Sequence, residues 1–454
     1  MRGPIARPGP GTAVTVLGMA RSGLAAAEWL LRVGCRVRVT EKTDSAPLRA
    51  QARRLQKMGA IVECGGHTRA FVDGSSLVVA SPGVPASADP IRWALSSGIP
   101  VVNELDMASW YCSGRIVAVT GSNGKSTVVT LIGQMLTESG LDAIVCGNIG
   151  TPLSAVLPRV GPKTRVVLET SSFQLEQNKA FHPEVGVVLN LTDNHLDRHG
   201  SFAEYQQAKG RMFAYQTPSE WALLNADQSG SSALEKLAQG QLVWFSRKRP
   251  VAGAYFKNGE LVLNLGSTNG TVCKINQLYG RGVHHEENAL AASCAAALMG
   301  ASVKACGRVL RSFVGLPHRQ QKIAVYRGVT FINDSKATTV AAGICAIEAT
   351  AGPVILIAGG RDKGSDFTRL QPWVKRLKAA VLIGEDGPKI ARCLNGKIPL
   401  VQSASMNEAV KKAFELARTG GSVLLSPMCT SFDMFRDFED RGEKFVEAVK
   451  TVTG

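Results

Sequence analysis

Between residues 120 and 127 the chain reads TGSNGKST: two glycines, a lysine and two hydroxyl residues, set between an apolar run and a helical one. Gly121 and Gly124 free the backbone to turn N–H groups inward, and a helix opening at Ser126-Thr127 favours negative charge. Lys125 can reach a β- or γ-phosphate, and the Ser126 hydroxyl can ligate magnesium. This is phosphate chemistry, although the pattern G-x-x-x-x-G-K-[ST] asks for glycine where Val119 stands. Glu169 closes the apolar run RVVLE, where a carboxylate can hold Mg²⁺ against phosphates. His195 lies in TDNHLDRHG beside Asp193 and Asp197, again just past an apolar run. Asp334 and Lys336 in NDSKATT, and Asp362 and Lys363 in GGRDKGSDF, each set an acid and a base after a strand. Each pair is either functional or a salt-bridged turn. Lys209, in FAEYQQAKGRMF, reads as a solvated helix lysine.

These residues must be placed by strands that deliver them to a common edge, and three α/β blocks do so. The first opens with Val14 to Leu17, turns through GMARSG, and continues as a helix ending at Gly34 and a second strand, CRVRVT. Its fingerprint has Gly18 and Gly23 but Ala20 in place of the middle glycine of G-x-G-x-x-G, so NAD is disfavoured. Another nucleotide or diphosphate could lie there, near Thr40, Glu41 and Lys42. The strand LVVASPGVP ends in a Ser81-Pro82-Gly83 turn whose N–H groups could meet an anion. The second block contains the strand RIVAVT, the glycine loop, a helix stopped by Gly140, and the runs DAIVC, RVVLE and EVGVVLNLT. Near-continuous Val/Ile/Leu strands between helices indicate a parallel sheet covered on both faces, with ligands beyond the strands' carboxyl ends. Asn148, Glu169, Ser171 and NLTDNHLDRHG all fall there. The third block, from GLPHR onward, repeats the design, its strands emptying into SKATT, RDKGSDF and MCTSFDMF. The expected organisation is α/β in three domains: a Rossmann-like domain over 1–106, a P-loop-type mononucleotide-binding parallel sheet over 107–315, and a second Rossmann-like domain over 316–454.

The bulk properties restrict the class. A chain of 454 residues suggests about three domains. With 45% hydrophobic and 19% charged residues it reads as globular, and no apolar run reaches the roughly 18 residues of a membrane span. The opening MRGPIARPGPGT reads as a flexible tail rather than a signal peptide. Ten scattered cysteines without a C-x-x-C pair suit a reducing cytosol and show no zinc pattern. A formal charge of +16 favours an acidic partner, either nucleic acid or small polyanions such as nucleotides. The basic residues form no dense run and do not alternate with aromatics, so nucleic acid is not expected.

Taken together, TGSNGKST, GNIGTP, LETSSFQLE, NLTDNHLDRHG, AAALMG, GLPHR, NDSKATT, IAGGRDKGSDF and SPMCTSFDMFRDFEDRG resemble the Mur ligases of peptidoglycan synthesis over nearly the whole chain. TGSNGKST is similar to that family's shortened phosphate loop. SSFQLE and SFDMFRDFEDRG resemble most the member that adds D-glutamate to UDP-N-acetylmuramoyl-L-alanine. The resemblance implies an ATP- and Mg²⁺-dependent amide ligase of the cytoplasm, a monomer, working through an acyl phosphate. It assigns Gly121, Ser122, Asn123, Gly124, Lys125, Ser126 and Thr127 to the ATP phosphates, and Asn288, Arg319 and Asp334 to the adenine nucleotide. Metal ions would be held by Ser126, Glu169, His195 and Lys209, the last as a carbamate. Asn148 and Ser171 would meet the muramoyl substrate, with Ser22, Thr40, Glu41, Lys42, Ser81, Pro82 and Gly83 around its uridine diphosphate. Lys336, Thr338, Lys363, Ser431 and Phe438 would receive D-glutamate. With the phosphates on the second block and the amino acid on the third, the third is expected to swing in.

The chain departs from the family pattern at HHEEN, where His285 replaces an asparagine, and at GGRDKG, which carries an arginine. Three other readings compete: a different amide ligase of this superfamily or a folylpolyglutamate synthetase, a nucleic-acid-binding P-loop ATPase, and an NAD oxidoreductase. The uridine-type first block argues against the folate enzyme, the clustering of polar residues at strand ends against the ATPase, and Ala20 against the oxidoreductase.

Overall fold

The computed structural model describes residues 5–148, 150–192, 196–266, 268–280, 282–362, 364–394, 396–417 and 421–454, and only the backbone of Leu196 and Asp197. The chain forms two compact units, Met1–Phe313 and Val314–Gly454. Its architecture is α/β in three domains, each around its own sheet, with two of the sheets in the first unit.

The first sheet comprises β1 (Ala13–Leu17), β2 (Arg36–Glu41), β3 (Ile61–Cys64), β4 (Leu77–Ala80) and β5 (Val101–Asn103). All are parallel, in the order β3-β2-β1-β4-β5. Successive strands step away from β1 on one side and then on the other, which opens a crevice at the carboxyl ends of β1 and β4. The helix Arg21–Arg32 starts there. A Cβ at Gly23 would lie 2.0 Å from the Gly18 carbonyl oxygen, so glycine is required for the helix to approach β1 so closely.

The second sheet has nine strands: β6 (Arg115–Thr120), β7 (Ala143–Gly147), β8 (Arg165–Glu169), β9 (Val185–Val188), β10 (Trp221–Asn225), β11 (Gln241–Ser246), β12 (Gly253–Lys257), β13 (Glu260–Asn264) and β14 (Asn269–Lys274). The order is β14-β13-β12-β11-β10-β9-β6-β8-β7. The chain runs from β6 to the edge at β7, returns to β8 beside β6, then crosses to β9 on β6's other side. The loops after β6, β8 and β9 therefore converge. The parallel body matches the sequence reading, but β13 runs antiparallel to both β12 and β14, which was not expected from it. The cause is local. Asn258 and Gly259 both adopt positive φ (52° and 76°), the geometry of a two-residue hairpin, and Asn-Gly is its preferred pair.

The second unit holds β15 (Gln321–Tyr326), β16 (Val329–Asn333), β17 (Val354–Gly359), β18 (Leu377–Ile383), β19 (Leu400–Gln402) and β20 (Gly421–Leu425), in the order β15-β16-β20-β17-β18-β19. Only β15 is antiparallel. Apolar clusters bury both faces of this sheet, as the continuous Val/Ile/Leu runs of β17 and β18 require.

Candidate active site

Register places the candidate residues of the central sheet. Val119 of β6 pairs with Glu169 of β8, so the carboxylate ends its strand one residue short of the glycine loop. The Ser126 hydroxyl, in the first turn of the helix Lys125–Glu138, donates to Glu169 Oε2 at 2.8 Å. Asn148, just past β7, donates its side-chain amide to Oε1 at 3.0 Å. Asn190, beyond β9, clamps the loop by accepting the Asn123 N–H at 2.8 Å and donating to the Asn123 carbonyl at 3.1 Å. The Lys125 ammonium folds back onto the carbonyls of Gly121 and Ser122, at 2.9 and 3.0 Å. Gly124 has φ 86°, and a Cβ there would lie 2.3 Å from Asn288 Oδ1, so the helix Val283–Leu298 reaches the loop through Asn288. Thr127 lies beside Asn288, and His285 packs its ring edge-on against Tyr279 nearby.

Lys209 overturns its sequence reading as a solvated lysine. It sits in the last turn of the helix Phe202–Gly210, only 1% exposed, because that turn runs underneath the glycine loop. Its amine donates to the Thr120 hydroxyl and the Gly121 carbonyl, both at 3.1 Å, and stands 4.7 Å from the centre of the Tyr205 ring. Burial, and then the nearby Lys125 ammonium, push its pKa well below the ordinary lysine value; the Glu169 carboxylate opposes them. A lysine so placed gives up its proton more readily than one in water. Tyr205 bonds Ser122 Oγ at 3.0 Å, closing the floor beneath the loop.

The Glu169 carboxylate and the Ser126 hydroxyl, 2.8 Å apart, are oxygen donors of the kind that fits Mg²⁺. An unmodified Lys209 has no oxygen to offer. His195 and Lys363 lie outside the described residues.

Beside this cluster a cavity of about 840 Å³ opens between the first two domains. Ser22, Glu41, Lys42, Ser81, Pro82 and Gly83 line it from the first domain, Asn148 and Ser171 from the second. Glu41 accepts the N–H groups of Met19 at 2.7 Å and Thr43 at 2.9 Å, fixing both loops around it. Thr40 stands one layer behind, wholly buried, with its hydroxyl on Glu63 and His67. Ser171 caps the short helix Ser172–Leu175 through reciprocal bonds with Gln174. The two domains are tied by the segment after β5. The Asn103 side chain donates to the Gln174 carbonyl, Glu104 accepts from Ser154, and Asp106 accepts the N–H groups of Lys179, Ala180 and Phe181.

In the second unit Asp334 follows β16 and is buried, accepting from the Gln320 N–H at 3.1 Å and the Ser426 hydroxyl at 3.2 Å. Burial raises its pKa to about 6, against the pull of the Gln320 hydrogen bonds and the Arg319 charge. Lys336 places its ammonium 4.8 Å from the centre of the Phe438 ring. Thr338 lies in the same loop, its N–H on the Lys336 carbonyl, and Ser431 is buried in the loop after β20. Asp362 is committed to structure, since its carboxylate accepts the N–H groups of Gly364 and Ser365.

Sequence reasoning overlooked Asn190, Tyr205 and Arg441. Asn190 follows the same rule as Glu169, a polar residue at the carboxyl end of an apolar strand. Tyr205 stands four residues before Lys209, one helical turn, and so shares its face. Arg441 carried no signal. Wholly buried, it donates to the Ser335 hydroxyl and carbonyl and to the Cys429 carbonyl, joining the loops after β16 and β20. Burial lowers its pKa to about 10.

Three family models match the chain: the Mur ligase MurD-like N-terminal domain over residues 12–103, the Mur ligase middle domain over 119–296, and the Mur ligase glutamate ligase domain over 318–429. The UDP-N-acetylmuramoylalanine–D-glutamate ligase of Pelotomaculum thermopropionicum is 41% identical over 440 residues, covering 96% of this chain and 97% of the relative. The ligase of the same name from Shouchella clausii is 40% identical over 446 residues, covering 97% of each. Among solved structures, a pseudomurein peptide ligase type C from Methanothermus fervidus superposes with a TM-score of 0.60 at 18% identity, over 97% of this chain and all of that one. MurF ligase from Thermotoga maritima, in complex with ADP, gives 0.58 at 16% identity over 92% and 94%. These two share the fold. The chain belongs to the Mur ligase family.

Proposed function

We propose that this chain joins D-glutamate to the carboxyl group of UDP-N-acetylmuramoyl-L-alanine, using ATP and Mg²⁺. The observation that carries the reading is the meeting of a phosphate loop, Glu169 and the buried Lys209 at one sheet edge, beside a cavity large enough for a sugar nucleotide. The names of the relatives at 40–41% identity support the choice of D-glutamate.

The N–H groups opening the helix Lys125–Glu138, together with the Lys125 ammonium, bind and orient the ATP phosphates. For Lys125 this means leaving the carbonyls of Gly121 and Ser122 for the more strongly attracting phosphate. Asn148 and Ser171 hold the muramoyl arm so that its carboxylate oxygen attacks the γ-phosphorus and ADP leaves. The D-glutamate amine, presented by Lys336, Thr338, Ser431 and Phe438, with Lys363, then attacks the acyl phosphate carbon. A tetrahedral intermediate collapses to the amide and releases phosphate. Glu169 and Ser126, with His195, would hold Mg²⁺, which when bound supplies charge neutralisation to the transferred group. Lys209 is the amine that would add CO₂: in its deprotonated form the nitrogen bonds the CO₂ carbon, one proton leaves, and an anionic carbamate takes the place of the amine. The protein acts in the cytoplasm, which ten unpaired thiols suit.

The test is phosphate release by the purified chain given ATP, Mg²⁺, UDP-N-acetylmuramoyl-L-alanine and one amino acid at a time. Release is expected with D-glutamate and not with L-alanine, L-lysine or diaminopimelate; equal turnover with any of these refutes the assignment. ATP hydrolysis stimulated by DNA without sugar nucleotide would instead favour the nucleic-acid reading that the +16 charge raises.

A further inference from the structure

Arg198 takes no part in the chemistry described above, yet its side chain touches both domains that wall the cavity. It sits in the short helix Leu196–His199, in the region after β9. One face of the guanidinium lies over the Phe173 ring, Cζ 4.3 Å from its centre. Its Nε donates to Glu176 Oε2 at 3.0 Å, and its Nη2 donates to the Pro82 carbonyl at 3.2 Å. Phe173 and Pro82 both line the cavity, one from the central domain and one from the Ser81-Pro82-Gly83 turn of the first. Arg198 itself lies behind them.

We propose that Arg198 is a positioning residue that clasps the two walls of this cavity and so sets the affinity for the sugar nucleotide. The inference rests on the cavity being the UDP-sugar site. Three features support it. The bonds at Asn103, Glu104 and Asp106 join the domains through the segment after β5, whereas Arg198 grips the anion-facing turn itself. On the β1 side the turn is anchored at Ser81, whose N–H donates to the Leu17 carbonyl at 3.0 Å and whose hydroxyl reaches the Gly18 carbonyl at 3.4 Å; Arg198 anchors the next residue, Pro82, from the other domain. Finally, a planar guanidinium can stack on an aromatic ring and donate from its edge at the same time, which a lysine ammonium cannot. Glu176 alone would make Arg198 a partly exposed ion pair of small consequence. The simultaneous grip on Pro82 and Phe173 makes it a clasp.

The experiment compares wild type with Arg198→Ala, Arg198→Lys and Glu176→Gln by steady-state kinetics and by hydrogen–deuterium exchange of residues 81–84. With Arg198→Ala, the KM for UDP-N-acetylmuramoyl-L-alanine is expected to rise about tenfold or more, the loss of one charged hydrogen bond and its stacking contact. The KM values for ATP and D-glutamate are expected to hold, kcat to fall far less, and the amides of 81–84 to exchange faster. Arg198→Lys should resemble the alanine variant despite keeping the charge, and Glu176→Gln should shift the same quantities in the same direction by less. Equal losses in all three KM values, full rescue by lysine, or unchanged exchange at 81–84 would each overturn the proposal. If Arg198→Ala does not fold, the lysine and Glu176 variants decide it by the same criteria. A wild type inactive with this sugar nucleotide would refute the function while the exchange readout still tests the clasp. An active wild type whose variants keep their KM refutes the clasp alone.

Discussion

After β1 the chain turns through Gly18 and enters a helix at Arg21; after β6 it turns through Gly121 and Gly124 and enters one at Lys125. Both turns leave a buried parallel strand at a sheet crevice, and both aim a helix N-terminus at it. At the first, the protein's own Glu41 already takes the Met19 N–H, and the cavity wall carries Arg21 and Lys42 at its rim. At the second, the neighbouring strand ends bring Glu169 and Asn190, while a helix from below brings Tyr205 and the buried Lys209. The turn alone makes an anion seat. On the proposed function, what crowds around it decides whether that anion is held or transferred.

Removing the transfer residues should separate the two turns most sharply. Lys125→Ala and Lys209→Ala are each expected to lower kcat by about a thousandfold, the scale of losing one preorganised electrostatic group, while UDP binding by calorimetry persists. Partial rescue of Lys209→Ala by a short carboxylic acid is expected, because the acid restores the oxygens of a carbamate. Near-normal turnover without rescue removes Lys209 from the metal site. A smaller loss should follow Gly124→Ala, whose Cβ would lie 2.3 Å from Asn288 Oδ1 at a φ of 86°. We expect the KM for ATP to rise by about ten- to a hundredfold, since a left-handed alanine costs about 1–2 kcal/mol before the clash is counted; an unchanged KM would show that the loop yields freely. At the other turn, Glu41→Gln leaves one acceptor oxygen where Met19 and Thr43 had two. The KM for the sugar nucleotide should rise by about tenfold with kcat little changed, and an equal fall in kcat would contradict the division of labour between the turns.

The smallest expected effect concerns Asp334, whose pKa is raised by burial from 3.8 to about 6. An acid raised in the folded state loses stabilisation as pH climbs through that interval, because the unfolded chain releases the proton first. Unfolding midpoints of wild type should therefore fall relative to Asp334→Asn between about pH 4 and 6 and run parallel above it. A constant offset would show that Asp334 ionises normally.

The glycine turn between strand and helix could be read in the sequence because strand, glycines, lysine and helix are contiguous, and the placement of Glu169 because it ends an uninterrupted apolar strand. Lys209 could not. Its character comes from burial under a loop 88 residues away, and nothing in FAEYQQAKG encodes that. The pairs Asp334/Lys336 and Asp362/Lys363 looked equivalent as strings. They separate because Gly364 and Ser365 fold back to satisfy Asp362 locally, while Asp334 is buried among donors from distant segments. The Asn258-Gly259 hairpin was not read from the sequence, although Asn-Gly is the preferred pair for such a turn; it lies toward the sheet's far edge, away from the strand ends that carry the candidate site. Tertiary burial, rather than local pattern, was the missing information.

The most direct measurement labels both carboxylate oxygens of UDP-N-acetylmuramoyl-L-alanine with ¹⁸O and analyses the released phosphate by mass spectrometry. Transfer of the γ-phosphoryl group to that carboxylate places one ¹⁸O in every phosphate released with D-glutamate present. Unlabelled phosphate formed alongside the amide product would contradict the account.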